Sequence, residues 1–248
     1  MDNSILHLIT TSALKGRKLI ALLIDPDSFD MHATPLMAAE SGVDLIFVGG
    51  SLLSSGDLDK TLVALKKVCK LPVIIFPGSA MQINGKADAI LNLSLISGRN
   101  SEFLIGQHVV AAPALRSSGL EILPTGYILV DSGRQTTASY ISGTTPVPRD
   151  KDDIAMCTAM AGEMLGLQLI YLDGGSGAKE SVPESMITRV RKHTSAPLIV
   201  GGGIRDAATA VRICNAGANL IVIGNAAQEN PRLAKEIALA VHSLHILQ

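Results

Sequence analysis

Tryptophan is absent from this sequence, and aromatic residues make up only 3% of it. A core without large rings has to be built from aliphatic side chains, and 47% of the chain is hydrophobic, so the supply is ample. Ile, Leu, Val and Ala are the residues that buried parallel strands prefer. Cysteine is scarce as well. Cys69, Cys157 and Cys214 are widely spaced in helix-like segments and form no C-x-x-C pair, which argues for buried thiols over a disulfide or zinc site. The histidines are equally scattered; His242 and His245 share a helix face, which reads as a solvated tail rather than a metal site. No apolar stretch reaches the ~18 residues that a bilayer span needs. The start, MDNSILHLITTSALKGRK, lacks the charged beginning and apolar centre of a secretory leader, so a cytoplasmic location is expected. A formal net charge of −1 without a basic run excludes nucleic acid as the main partner.

What is present is an alternation. Strand-like runs occur at KLIALLI (18–24), VDLIFVG (43–49), PVIIFP (72–77), AILNLS (89–94), GYILVD (126–131), LQLIYLD (167–173), PLIVGG (197–202) and NLIVIG (219–224). Between most of them lie amphipathic segments such as DLDKTLVALKKVCK and DAATAVRICNAG. Strands alternating with helices indicate βαβ units and a parallel sheet. About eight such strands in a chain of this length match a single (β/α)8 TIM barrel with parallel strands, a doubly wound sheet being the alternative. No break in composition divides the chain, so residues 1–248 read as one domain. One connection is long: residues 131–150, DSGRQTTASYISGTTPVPRD, have the length and composition of a lid or binding loop.

In such a barrel the chemistry sits at the C-terminal ends of the strands. Those ends carry Asp25-Pro26-Asp27, Gly49-Gly50-Ser51, Pro77-Gly78-Ser79, then Asp173 with Gly174, Gly175 and Gly177, then Gly201-Gly202-Gly203, and last Gly224-Asn225. Glycine after one strand is turn punctuation; after the last three strands together it suggests backbone amides closing on a phosphate, with a helix N-terminus beside them. Asp25 and Ser51, a carboxylate and a hydroxyl on neighbouring strands, suit Mg2+, which takes few protein oxygens and fills its shell with water and phosphate. Asp25 capping a turn is an equal reading of the same residues. Asp173 lies between the two rims, where it either caps the next helix or acts as general base toward a substrate hydroxyl.

Taken together, LLIDPDSFD, FVGGSLL, PVIIFPGS, YILVDSGRQTTASYISGTTPVPRDK, YLDGGSGA and VGGGIRD…VIGNAAQENP resemble the geranylgeranylglyceryl phosphate synthase family, in its larger-loop branch of archaea and some bacteria. The resemblance runs from about residue 18 to 235. It implies a TIM barrel that joins sn-glycerol 1-phosphate to geranylgeranyl diphosphate in the synthesis of archaeal-type ether phospholipids. Carried over by motif, Asp25 and Ser51 would bind Mg2+. Tyr171, Leu172, Asp173, Gly174, Gly175, Ser176 and Gly177, with Gly202, Gly203, Gly224 and Asn225, would hold glycerol 1-phosphate, and Asp173 would deprotonate the attacking hydroxyl. Some relatives carry Lys where this chain has Leu23, and that phosphate contact is not carried over. The family also implies an assembly of two or more copies, and a lipid product implies transient contact with a membrane. Two other readings compete: an isomerase of sugar-phosphate or amino-acid biosynthesis, and a non-catalytic phosphate- or lipid-binding barrel.

Overall fold

Short runs of Ile, Leu and Val form strands here because both faces of each run are covered, one by the barrel interior and one by helices. In the computed structural model, which describes residues 4–224 and 230–244, the strands are β1 (Leu19–Ile24), β2 (Leu45–Val48), β3 (Val73–Ile75), β4 (Ala89–Leu95), β5 (Glu121–Leu129), β6 (Leu169–Asp173), β7 (Leu198–Gly201) and β8 (Leu220–Ile223). They are joined in chain order, all parallel, and β8 pairs with β1 to close the barrel. The expected (β/α)8 architecture is the one observed. Alternation sorts the side chains. Leu19, Ala21, Phe47, Ile74, Leu91, Leu169 and Tyr171 fill the interior, while Ile20, Leu22, Ile46, Val48, Ile170 and Leu172 pack outward.

The helices are α1 (Ile5–Leu14), α2 (Ala33–Glu40), α3 (Leu58–Val68), α4 (Gln107–Ser117), α5 (Thr137–Ser142), α6 (Asp152–Met164), α7 (Glu184–His193), α8 (Ala207–Ala216) and α9 (Pro231–Ser243). Aspartates start two of them: Asp57 accepts the Lys60 N–H at 3.0 Å and Asp206 the Thr209 N–H at 2.7 Å. Three helices have no counterpart in the amphipathic pattern. A π-helical turn, Glu102–Gly106, leads into α4, and Pro113 lies inside it, so glycine and proline disguise its periodicity. In α5 a Thr136/Ser139 capping box starts a helix inside the long 131–150 connection. Helix α1 sends Ile5 and Ile9 into the interior cluster, and Glu121 accepts its Ile5 and Leu6 amides at 2.6 and 2.8 Å.

Glu121 also marks a shift in β5, which begins five residues before the expected Gly126. Pro124 suggests a break, but a proline forfeits only its donor. Its carbonyl still accepts the Gln168 N–H at 2.9 Å, and the ladder to β4 runs through it.

Candidate active site

Asp173 ends β6 with its side chain on the interior face, at 5% exposure. Its Oδ2 accepts the Tyr127 hydroxyl at 2.5 Å and its Oδ1 accepts the Gly175 N–H at 2.8 Å. Burial raises the carboxyl's pKa, and these two donors only partly offset it. Tyr127 and Tyr171 stand edge to face, 5.4 Å apart, and burial holds both phenols well above their ordinary values. Both tyrosines therefore stay neutral at physiological pH.

The glycines after β6 and β7 are packed against each other. Gly175 and Gly202 have φ of +83°, and a side-chain carbon on Gly202 would lie 2.9 Å from the Gly175 nitrogen. On Gly203 it would meet the Glu180–Ser181 peptide at 2.7 Å. These positions need glycine for the fold itself. Gly224 differs: its φ is not positive, and among the described residues a side-chain carbon there would meet nothing nearer than Leu23 at 3.8 Å. Among the described residues, no hydrogen bond is accepted from the amides of Ser176, Gly177, Gly202 or Gly203. Four amides without a described acceptor, in adjoining loops, are the kind of donor set that an anion cradle needs. At the N-terminus of α8, Asp206 caps the helix and accepts the Thr209 N–H. Cations stand nearby: Arg205 donates to the Ala178 carbonyl at 2.6 Å, and an Arg134 nitrogen lies 3.2 Å from where a Gly177 side chain would begin.

On the next strands, Asp25 follows β1 and Ser51 follows β2. The two aspartates of the first motif separate cleanly. Asp27 accepts from Ser54 N–H and Oγ, Ser55 N–H and Gly56 N–H, and these bonds hold its pKa far below the usual range. Both of its oxygens tie down the following loop. Asp25 Oδ1 accepts only the Asp27 N–H, at 3.0 Å, and Oδ2 accepts no bond from a described residue. Burial raises the Asp25 pKa. A half-buried carboxylate with an open oxygen and no cationic partner fits a divalent ion, and Ser51 supplies a neutral oxygen on the adjacent strand. No cluster of three or more His, Cys, Asp or Glu suited to a metal occurs among the described residues. Asp25 is at the same time the cap of the Pro26–Ser28 turn.

One cavity of about 300 Å³ joins these parts. It is lined by Asp25, Ser51, Tyr171, Asp173, Gly175, Ser176, Gly177, Gly202, Gly203 and Gly224. Leu172 does not reach it, since alternation turns that side chain into the outer cluster, and Gly174 lies behind, against Ala178. Asn225 falls outside the described residues. From the β3–β5 side the lining is largely apolar, with Phe76, Leu91, Leu93, Phe103, Leu115 and Ile141, interrupted by the polar Asn92, Gln107 and His108. Sequence reasoning missed this arm's residues and Tyr127. Period-two alternation along GYILVD carried the signal for Tyr127, which shares the inward face with Leu129.

Comparison with known proteins adds an independent line. The PcrB family model matches residues 13–241. A geranylgeranylglyceryl phosphate synthase of Chitinophaga pinensis is 53% identical over 246 residues, covering 98% of each chain. The enzyme of that name from Methanothermobacter marburgensis is 41% identical, over 93% of this chain and 95% of its own. Among solved structures, (S)-3-O-geranylgeranylglyceryl phosphate synthase of Thermoplasma acidophilum, in complex with its substrate sn-glycerol-1-phosphate, superposes with a TM-score of 0.91 at 32% identity. That match covers 97% of this chain and 99% of the other.

Proposed function

This chain belongs to the PcrB family, and from that premise we propose that it is a geranylgeranylglyceryl phosphate synthase, joining sn-glycerol 1-phosphate to geranylgeranyl diphosphate. The observation that carries the reading is the cavity's division of labour. Free loop amides suit a phosphate, a largely apolar arm suits a prenyl tail, and a buried carboxylate lies in the same space. A sugar-phosphate isomerase has no use for such an arm.

In this reading the amides of Ser176, Gly177, Gly202 and Gly203 hold the phosphate of glycerol 1-phosphate, and Gly224 leaves room beside it. The glycerol C3 hydroxyl then faces Asp173. Its oxygen attacks C1 of the prenyl chain, a C–O bond forms, and the allylic C–O bond to diphosphate breaks with its electron pair leaving on diphosphate. The hydroxyl proton passes to Asp173, whose raised pKa makes it a better acceptor than an exposed aspartate. Mg2+, held by Asp25 and Ser51, would supply Lewis-acid neutralisation of the leaving diphosphate. Tyr127, Tyr171 and the aliphatic wall exclude water, which would otherwise intercept the allylic centre. A cytoplasmic protein of two or more copies belongs to the same reading. Exposed Ile105, Val109 and Val110 supply apolar surface for a neighbouring copy, and no described helix is long and apolar enough to cross a membrane.

The test is incubation with geranylgeranyl diphosphate, Mg2+ and either enantiomer of glycerol phosphate, followed by analysis of the organic phase. The 1-phosphate should give product that disappears with chelator, and the 3-phosphate should react slower by up to about 10⁴-fold, since it leaves polar groups of the site unpaired. Equal rates for the two enantiomers would remove the two-point grip on glycerol from phosphate cradle and Asp173.

A further inference from the structure

β5 and β6 run parallel, with Tyr127 opposite Tyr171 and Leu129 opposite Asp173. The Tyr127 ring is wedged edge-on between Phe76, at 5.8 Å and 78°, and Tyr171, at 5.4 Å and 82°. A ring held this way has little freedom to swing its hydroxyl elsewhere. That hydroxyl meets Asp173 Oδ2 at 2.5 Å, a length typical of a charge-assisted bond, while Gly175 N–H takes Oδ1. Donors on different oxygens fix the plane of the carboxylate and leave each oxygen one further lone pair for substrate.

We propose that Tyr127 is a positioning residue for the prenyl transfer: its hydroxyl sets the orientation of the Asp173 carboxylate and keeps it ionised inside the cavity until the glycerol proton arrives. This rests on the reading of Asp173 as the base. The physical need is plain. A carboxylate sealed among Phe76, Tyr127 and Tyr171 loses its hydration, and without a donor its pKa would rise further and its ionised, proton-accepting fraction would shrink. The titratable groups facing it are Tyr127 on β5 and Tyr171 on β6, both held neutral by burial. Arg134 and Arg205 flank the following loop without an ion pair to Asp173. The ionisation of Asp173 therefore depends on the Tyr127 hydroxyl and the Gly175 amide. When the glycerol proton arrives, the carboxyl becomes neutral and the Tyr127 bond loses its charge assistance, so the tyrosine trades some basicity for a larger ionised fraction.

The experiment is the pH profile of kcat/KM for glycerol 1-phosphate in Tyr127→Phe, with thermal melting to verify the fold. The acid limb should move up by about one pH unit, so that activity falls about tenfold below the limb and recovers toward the parent's at alkaline pH. A site-specific 3-fluorotyrosine at 127, a stronger donor of nearly the same size, should move the limb the other way, and it serves if the phenylalanine variant does not fold. An unmoved limb in the fluorinated protein, or a uniform loss at every pH in Tyr127→Phe, would reduce Tyr127 to packing and overturn the proposal. Asp173→Asn, assayed alongside, separates the two readings: activity surviving there defeats the base assignment itself, whatever Tyr127 does.

Discussion

With Asp173 as the proposed base, the needs of the reaction and of the fold diverge there. Its folded pKa is raised, so the carboxyl's contribution to stability is complete below its ordinary value, about pH 4. That contribution is lost as pH rises through the raised value. Asp173→Asn keeps an oxygen for the Gly175 N–H and offers Tyr127 an amide donor to accept from, but it carries no charge. It should lower turnover at least about a hundredfold while melting at or above the parent's temperature at pH 7 to 8, with the gap closing toward pH 4. Calorimetry across that range decides it, and a variant less stable at every pH would contradict the assignment of burial as the dominant influence. Asp173 was legible because a carboxylate before three glycines at a strand end is an unusual expenditure of residues. Tyr127 was not, since its partner is 46 positions away and meets it only through the β5–β6 register. Asp25 and Asp27 look alike in the sequence, and only the bonds from residues 54–56 tell them apart.

At the scale of loops and helices, the glycines that the sequence groups as one class do different work. Gly203 has φ of +72° and a peptide against its face, so Gly203→Ala should destabilise by about 1–2 kcal/mol or more, from left-handed backbone strain alone. Gly224→Ala has room against the described residues, and its melting temperature should stay near the parent's. Its apparent KM should rise for glycerol phosphate and not for prenyl diphosphate, because the methyl would occupy space that the proposed function gives to the smaller substrate. Steady-state kinetics with each substrate varied in turn measure this, and an equal rise for both would argue against a phosphate beside Gly224. The βα pattern itself was easy to read from aliphatic runs separated by capped helices. Helix α4 was hidden by Gly106 and Pro113, and β5 was shortened by Pro124, because propensity reports a residue's average preference and not the neighbours that override it.

Across the whole molecule, the end of the barrel opposite the cavity is closed by contacts that no local pattern announces. Helix α1 plugs it and hangs from Glu121. On the outside, Asp44 accepts from Arg17 at 2.5 Å, from the Ile20 N–H at 3.0 Å and from His242 of α9 at 2.9 Å. Burial pushes the Asp44 carboxyl up, but the His242 bond, the Ile20 N–H and the charges of His242 and Arg17 outweigh it and hold the pKa below the usual value. The stability it contributes is present above about pH 4 and is lost as pH falls through the depressed value. Asp44→Asn should lower stability at pH 7 by about 1–3 kcal/mol and flatten the acid side of the stability curve, as denaturant melts from pH 3 to 7 would record. An unchanged acid side would show that other carboxylates govern acid unfolding. The cavity's two arms also differ in how they can change over generations. Gly202 has no space for a side chain against Gly174 and Gly175, so the two glycine loops constrain each other's sequence. Leu91, Leu93, Phe103, Leu115 and Ile141 can exchange volume with one another a methylene at a time. In the function proposed for the cavity, tail-length preference can therefore drift between lineages, or be bred in a library at those positions, while the head-group chemistry stands still.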